Sequence, residues 1–345
     1  LDRPYAHGRV RAEIGLRAHA DQVTRLHTED EYLMQAGELV RTDTARLVNT
    51  DTVATAVAIA AHAHSDISYD RLHLAPSARL ESVSTQLDDS KLRTRTVLLP
   101  GMGLRYEASS QLDLFAGVHR GFSPVSPGQP DEVKPELSTN AELGARLADG
   151  ERGGELAGFT SLYSNLVGEC TFSAGCADEA VGQQFNGGRA FIAGVEASVR
   201  DSLPLGPGLH LPVQATYTAT HAVFLSSFTS GFPQFGSVSA GDHLPYIPAH
   251  RGSLRAGLAG DRWGVDLGAS ARTGMRDQAK GELTDRDVPS LFLVDAAAHV
   301  DVQQHLRLYA TLTNALGADT TISLRPYGAR PIAPRQVMVG LKLMP

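Results

Sequence analysis

The 345-residue sequence predicts an all-β fold, an antiparallel transmembrane β-barrel, and three observations carry that expectation. Polar and apolar residues alternate with a period of two in segment after segment, the pattern of a strand with one wet and one dry face. There is no convincing amphipathic helix and no run of about 18 apolar residues that would cross a bilayer as a helix. The connections are by turns short and long, as in barrels with short turns on one side of a membrane and long loops on the other. A soluble all-β protein with Greek-key connections, including a β-rich enzyme, is the competing reading.

Taken in order, the first segment is the clearest. From Arg9 to Arg25 the odd positions begin Arg9, Arg11, Glu13, Gly15, Arg17, His19, while the even ones begin Val10, Ala12, Ile14, Leu16, Ala18. A helix, with period 3.6, would mix these sets; a strand keeps them apart. The pattern returns at Leu112 to Val118, Val195 to Val199, Leu254 to Leu258, Val265 to Ala271, Val294 to Val302 and Val337 to Leu343, giving about fourteen strands over the whole chain.

Short connections fall near 68–71, 109–111, 203–208, 260–262 and 303–305, and long ones near 26–49, 121–135, 168–189, 225–244, 276–289 and 317–333. With long loops outside, the first strand runs outward, the last runs inward, and the strand number is even.

Composition narrows the function classes. Apolar residues make up 42% of the chain, too many for a wholly disordered one. A net charge of -7 gives no field suited to wrapping phosphates, so nucleic acid is not an expected partner. The sequence starts at Leu1 rather than Met and is read as a piece of a longer chain. Cys170 and Cys176 lie in a stretch of turn formers and would close a small disulfide loop in an oxidising compartment; two unrelated thiols are the alternative.

Several stretches carry a resemblance. Arg105-Tyr-Glu107, Leu114-Phe-Ala-Gly-Val-His-Arg-Gly-Phe-Ser-Pro124, Lys134 to Arg146, Tyr309 to Leu316 and Arg325 to Arg335 resemble the barrel motifs of TonB-dependent outer-membrane receptors. Within that family the likeness is greatest to ferric dicitrate receptors, through the Cys170 to Cys176 loop, Phe185-Asn-Gly-Gly188, Gly194-Val-Glu196, Thr216-Tyr-Thr218 and Gly241 to Pro248. The resemblance implies a barrel of 22 strands around an N-terminal plug carrying a TonB box. This chain would be one domain, 1–345, holding about fourteen C-terminal strands of that barrel, with eight strands and the plug upstream. It implies a home in the bacterial outer membrane, an iron chelate as transported ligand, no enzymatic activity and no cofactor. The implied partners are ferric citrate or a similar siderophore, outer-membrane lipid, and the TonB–ExbB–ExbD complex reached through the plug. A receptor for another metal chelate or nutrient is the alternative within transport; a surface adhesin or phage-attachment barrel is the alternative outside it. Two features depart from the family: the end at Leu343-Met-Pro345, where an aromatic residue is common, and an aromatic content of 6%, thin for interfacial girdles.

No catalytic constellation stands out. His62 and His64 share one strand face but need a further ligand to hold a metal, and read as polar groups lining a wet lumen. Gly101-Met-Gly103 lies inside an alternating strand, where it suits close packing against an interior plug. A ferric citrate complex is anionic and displays carboxylates, which planar guanidinium groups bind in bidentate fashion. The candidates are Arg25 at the outer end of the first strand, Arg41 in the loop beyond it, and Arg276, Arg286 and Arg325 in later long loops.

Overall fold

The computed structural model describes all residues except Leu1, Ala6, 172–175, 177–179, 326–327 and 344–345. Fifteen strands form one sheet: β1 (Asp2–Tyr5), β2 (Gly8–Glu29), β5 (Leu47–Tyr69), β6 (Leu72–Leu87), β7 (Arg93–Glu107), β8 (Leu112–Ser123), β9 (Glu136–Asp149), β10 (Arg152–Asn165), β13 (Ala190–Gly206), β14 (Leu209–Phe224), β17 (His250–Gly260), β18 (Trp263–Arg272), β19 (Leu291–Gln303), β20 (Leu306–Thr313) and β23 (Gln336–Leu343). Each pairs antiparallel with the next in that order, an uninterrupted meander. Four small hairpins decorate the long loops: β3 (Tyr32–Gln35) with β4 (Glu38–Arg41), β11 (Val167–Glu169) with β12 (Gln184–Asn186), β15 (Phe228–Thr229) with β16 (Ser237–Val238), and β21 (Thr321–Ser323) with β22 (Arg330–Pro331).

The expected all-β barrel architecture is therefore what the chain adopts. Fourteen of the sheet strands are the expected ones. The fifteenth, β1, has four residues and includes Pro4, too short for alternation to register. Among the described residues no helix is long and apolar enough to cross a membrane, which says nothing about a β-barrel.

Alternation sorts the sheet into two faces. On one, Ile14 and Leu16 are each 84% exposed, and Leu143, Leu267, Val339 and Leu341 are likewise bare. A soluble surface rarely carries so much contiguous apolar area; lipid covers it here. The opposite face is the lumen. Its inner half is laced by His73 to Glu107 at 2.8 Å, Arg105 to Asp113 at 3.2 Å, Arg146 to Glu155 at 2.7 Å and Arg307 to Asp301 at 2.6 Å. His62 and His64 lie on this wet face as expected, with His62 Nε2 3.6 Å from Glu13.

Rings on the lumen face lie down over glycines on the neighbouring strand. Phe115 sits opposite Gly144 and Phe159 opposite Gly194, and a Cβ on either glycine would come within 2.6 Å of the ring. His62 covers Gly15 in the same way. Each glycine provides the slot into which a flat ring folds, which levels the lumen wall. At Gly101 a Cβ would lie 2.8 Å from Ser77 Oγ, so this wall is tight there too.

Little of the apolar core lies in the barrel. The largest buried cluster joins Ala190, Ala222, Phe224, Val238, Leu244 and Ala279 at the outer ends of the strands and in their loops.

Candidate ligand site at the outer mouth

The longest strands, β2 and β5, set the geometry of the mouth. Arg25 is 17 residues along β2 from Gly8, about 56 Å of strand and, at a tilt near 45°, about 40 Å of height. An apolar band about 25 Å tall leaves it well clear of lipid. Arg25 faces the lumen side, opposite Thr52.

Register then builds a shallow floor. The lumen positions of β5 near the mouth are Ala54, Ala56, Ala58 and Ala60. Cross-strand rows run His19, Ala58, Val83, Arg95 and Asp21, Ala56, Thr85, Arg93. Alanines keep the middle of each row low, while β7 raises Arg93 and Arg95 on one side and β2 raises His19 and Asp21 on the other. His19 and Asp21 pair at 2.6 Å. Arg95 is exposed, and Arg93 reaches Asp131 at 2.7 Å, drawing loop 124–135 over the outer end of β6 and β7. There Val133 and Val83 are both buried.

Arg41 sits in β4, where its guanidinium meets Asp30 at 2.7 Å. Arg46 grips the same carboxylate through Nε at 3.0 Å and Nη2 at 2.7 Å. Both arginines remain more than half exposed. The hydrogen bond from Arg46, reinforced by Arg41, holds the Asp30 carboxyl below the usual carboxylate range. Two guanidinium groups on one carboxylate leave N–H donors that the pair does not use, in a loop that also carries Glu31, Glu38 and Asp43.

The other candidates lie elsewhere, in a body formed by five clasped loops. Arg325 makes a bidentate pair with Asp277 at 3.1 and 2.8 Å and also donates to the Pro233 carbonyl. Tyr246 donates to Asp277 at 2.5 Å and accepts from the Leu324 N–H; burial, then the bond to Asp277, pushes its phenol up. Arg276 donates twice to the Gly281 carbonyl, and Arg286 is exposed in loop 273–290. The five sequence candidates thus fall into two groups, Arg25 and Arg41 on β2 and the loop that follows it, and Arg276, Arg286 and Arg325 in the loop body.

Aromatic and amide contacts weld that body together. Phe185 meets Phe232 edge-on at 4.8 Å and Phe235 at 5.1 Å. Cys170 and Cys176 form a disulfide, with Cα atoms 5.9 Å apart, packed under Val181 and Phe232. Buried Gln129 donates to the Gly182 carbonyl and accepts from the Gln184 N–H, each at 2.7 Å, joining loop 124–135 to loop 166–189. Asp287 accepts from the Asp277 N–H, the Thr284 N–H and hydroxyl, and Lys280.

Among the described residues no three His, Cys, Asp or Glu side chains gather as a metal site.

The family profile described as TonB dependent receptor-like, beta-barrel, matches residues 9–315. No curated protein sequence matches. Among solved structures, 99% of the chain superposes on 52% of the unliganded ferric citrate transporter FecA, with a TM-score of 0.76 at 18% identity. For the siderophore receptor PiuA from Acinetobacter baumannii the figures are 99%, 54%, 0.77 and 12%. For the closed form of the ferric-catecholate import receptor Fiu from K12 E. coli they are 97%, 55%, 0.68 and 15%. At these identities the likeness is one of fold, and the chain spans about half the length of each structure. Barrels of this kind reside in the Gram-negative outer membrane, and the chain belongs to the TonB-dependent receptor family.

Proposed function

We propose that the chain is barrel from a receptor that imports an anionic ferric chelate, with ferric dicitrate as the favoured ligand. The observation that carries this reading is the alanine floor of β5, flanked by Arg25 on β2 and by Arg93 and Arg95 on β7, with Arg41 and Arg46 in the loop 30–46 that joins β2 to β5. A citrate complex presents several carboxylates, and guanidinium edges spaced across a wet mouth match that display. Likeness of fold to a ferric citrate transporter adds support. In this reading the outer loops bind the chelate and close, and an upstream plug, pulled through TonB–ExbB–ExbD by the inner-membrane proton gradient, opens the path. No bond in the ligand is made or broken.

The test is Arg25→Ala with Arg41→Ala in the full-length receptor, read as equilibrium binding of ferric citrate. Hydrogen bonds to charged groups contribute about 1.5–3 kcal/mol each, so the double variant is expected to bind at least tenfold more weakly. Arg95→Ala should weaken binding further. Unchanged affinity in the triple variant would refute the site. Unimpaired ferric citrate binding with lost binding of a catecholate chelate would reassign the ligand.

A further inference from the structure

One lane of the lumen wall is set apart by its charge. Alternation places Thr218, Thr216 and Gln214 of β14 on the lumen face, and the ladder carries each across to β17 and β18. The outermost row reads Thr218, Arg251, Arg272 and the next reads Thr216, Ser253, Ser270. The third reads Arg200, Gln214, Arg255, with Arg200 on β13. Arg255 is four residues along β17 from Arg251, about 14 Å of strand and about 10 Å of descent at a tilt near 45°. The lane thus passes inward from two guanidinium groups, over a band of hydroxyls, to two more. β17 is the sixth strand on from β7, about 29 Å along the sheet at about 4.8 Å per strand, so the lane and the alanine floor are separate places.

Arg251 and Arg272 face each other directly, an arrangement of like charges that destabilises a sheet unless an opposite charge lies between them. Elsewhere the barrel supplies that charge. Glu107 and Asp113 stand opposite one another and share Arg105, at 2.9 and 3.2 Å. Arg307 and Lys342 stand opposite one another, and Asp301 holds Arg307 at 2.6 Å. Among the described residues no carboxylate pairs with Arg200, Arg251 or Arg272. Arg272 uses one nitrogen on the carbonyls of Thr273 and Pro289, at 3.2 and 2.9 Å, which ties the head of the lane to loop 273–290. Arg200 and Arg251 are exposed to the lumen, and Asp266 takes one side of Arg255 at 3.2 Å. Acid bounds the lane on its β13 side, where Glu196 stands beside Thr218 and Glu155 beside Ser198. The foot of the lane is hollow: Arg200, Ser202, Gln214, Arg255 and Asp266 line a concavity of about 490 Å³, within the size range of small-molecule sites.

We propose that the anionic chelate descends the lumen along this lane, with Arg200, Gln214 and Arg255 as its lower holding site. The proposal rests on the reading of the mouth as the capture site of an anionic ferric chelate, and adds the part of the wall along which that cargo passes. Guanidinium groups at the head and foot attract carboxylates, while the hydroxyls of Thr216, Ser253 and Ser270 between them offer only neutral hydrogen bonds. A series of sites, each strong enough to admit the anion and none strong enough to trap it, is what passage requires.

The test uses the full-length receptor in energised cells given radiolabelled ferric citrate, with surface binding and uptake read separately. Arg200→Gln with Arg251→Gln should leave surface affinity within twofold of wild type and slow uptake at saturating chelate at least fivefold. Arg200→Lys with Arg251→Lys keeps the charge and should restore at least half of the wild-type rate. Normal binding together with uptake within twofold of wild type in the glutamine pair would overturn the lane and leave the mouth standing. A matching loss of binding and uptake would overturn it as well, since the arginines would then belong to capture, and so would failure of the lysine pair to restore uptake, since their role would then be structural. Absence of ferric citrate binding by the wild type would refute the ligand assigned to the mouth and the lane with it. Should the glutamine pair fail to reach the membrane, Gln214→Leu with Ser253→Leu decides, because it narrows the lane and leaves every arginine in place. At least threefold slower uptake is expected there, and an unchanged rate would overturn the proposal.

Discussion

Replacing Asp287 by asparagine should loosen loop 273–290 without touching the barrel. The Asp287 side chain is 2% exposed. One oxygen accepts the Asp277 N–H at 2.9 Å; the other accepts the Thr284 N–H at 2.7 Å, the Thr284 hydroxyl at 3.0 Å and Lys280 Nζ at 2.7 Å. Burial alone would raise its pKa, but Lys280 and the three hydrogen bonds more than reverse that and take it from 3.8 to about 2. At about 1.4 kcal/mol per unit, the folded loop prefers the charged form by roughly 2–3 kcal/mol. The sign is that of a depressed carboxyl: the stabilisation is whole above pH 3.8 and is lost as pH falls through the interval down to about 2. The amide of Asp287→Asn supplies one acceptor where two are needed and presents an N–H donor to a backbone donor, so local opening should become about fiftyfold more frequent at pH 7. Hydrogen exchange of the peptide spanning 273–290 in the full receptor, corrected for intrinsic rates, reads this directly. Exchange in Asp287→Asn within threefold of wild type at pH 7 would refute the reasoning. So would convergence of the two proteins already at pH 4.5.

Two further outcomes follow from the loop body. Cys170→Ser with Cys176→Ser removes a short closed loop, a loss of about 2 kcal/mol in the chain-entropy account. The amides of Cys170 and Gly182, which bond to Gln183 and Cys170 carbonyls, should exchange at least tenfold faster, and unchanged rates would show that packing under Phe232 holds the segment alone. For Arg325 and Asp277, with side chains 13% and 17% exposed, a double-mutant cycle to Ala on loop opening should give a coupling of about 1–3 kcal/mol. An exposed pair would give under about 1 kcal/mol, and a value in that range would mean that Tyr246 carries the clasp.

The face of each strand was legible in the residues because a period of two needs no long-range knowledge. The loop body was not. Phe185, Phe228, Phe232 and Phe235 show no spacing that announces an aromatic cluster, since their contacts span two loops. Asp277 and Arg325 are 48 residues apart, and neither sits in a periodic segment. The buried Gln129 carries no sequence signal at all; its role comes from the Gln184 and Gly182 backbone it happens to face.

Arg93 and Arg95 form an instructive intermediate case. Alternation puts them on the wet face, and Arg-Thr-Arg-Thr at 93–96 is itself a period-two signal. Joining them to the site requires rows, and rows require turns. In an antiparallel hairpin without bulges the partners' residue numbers add to a constant. With the turn after Tyr69 recognised, Ala58 must face Val83, because Tyr69 faces Leu72. The same rule through Leu72 and Tyr106 brings Val83 to Arg95, but the loop at 88–92 that anchors that hairpin is short, like the inner turns, and escapes a search for long outer loops. The rule also fails past the shift between His27 and Thr28, which re-aims the last turn of β2 into the loop bearing Arg41. The anion capture proposed for this mouth is thus a property of register, and moving the 88–92 loop by one residue would turn Arg93 and Arg95 from the lumen to the lipid face while leaving the alternation of β7 intact.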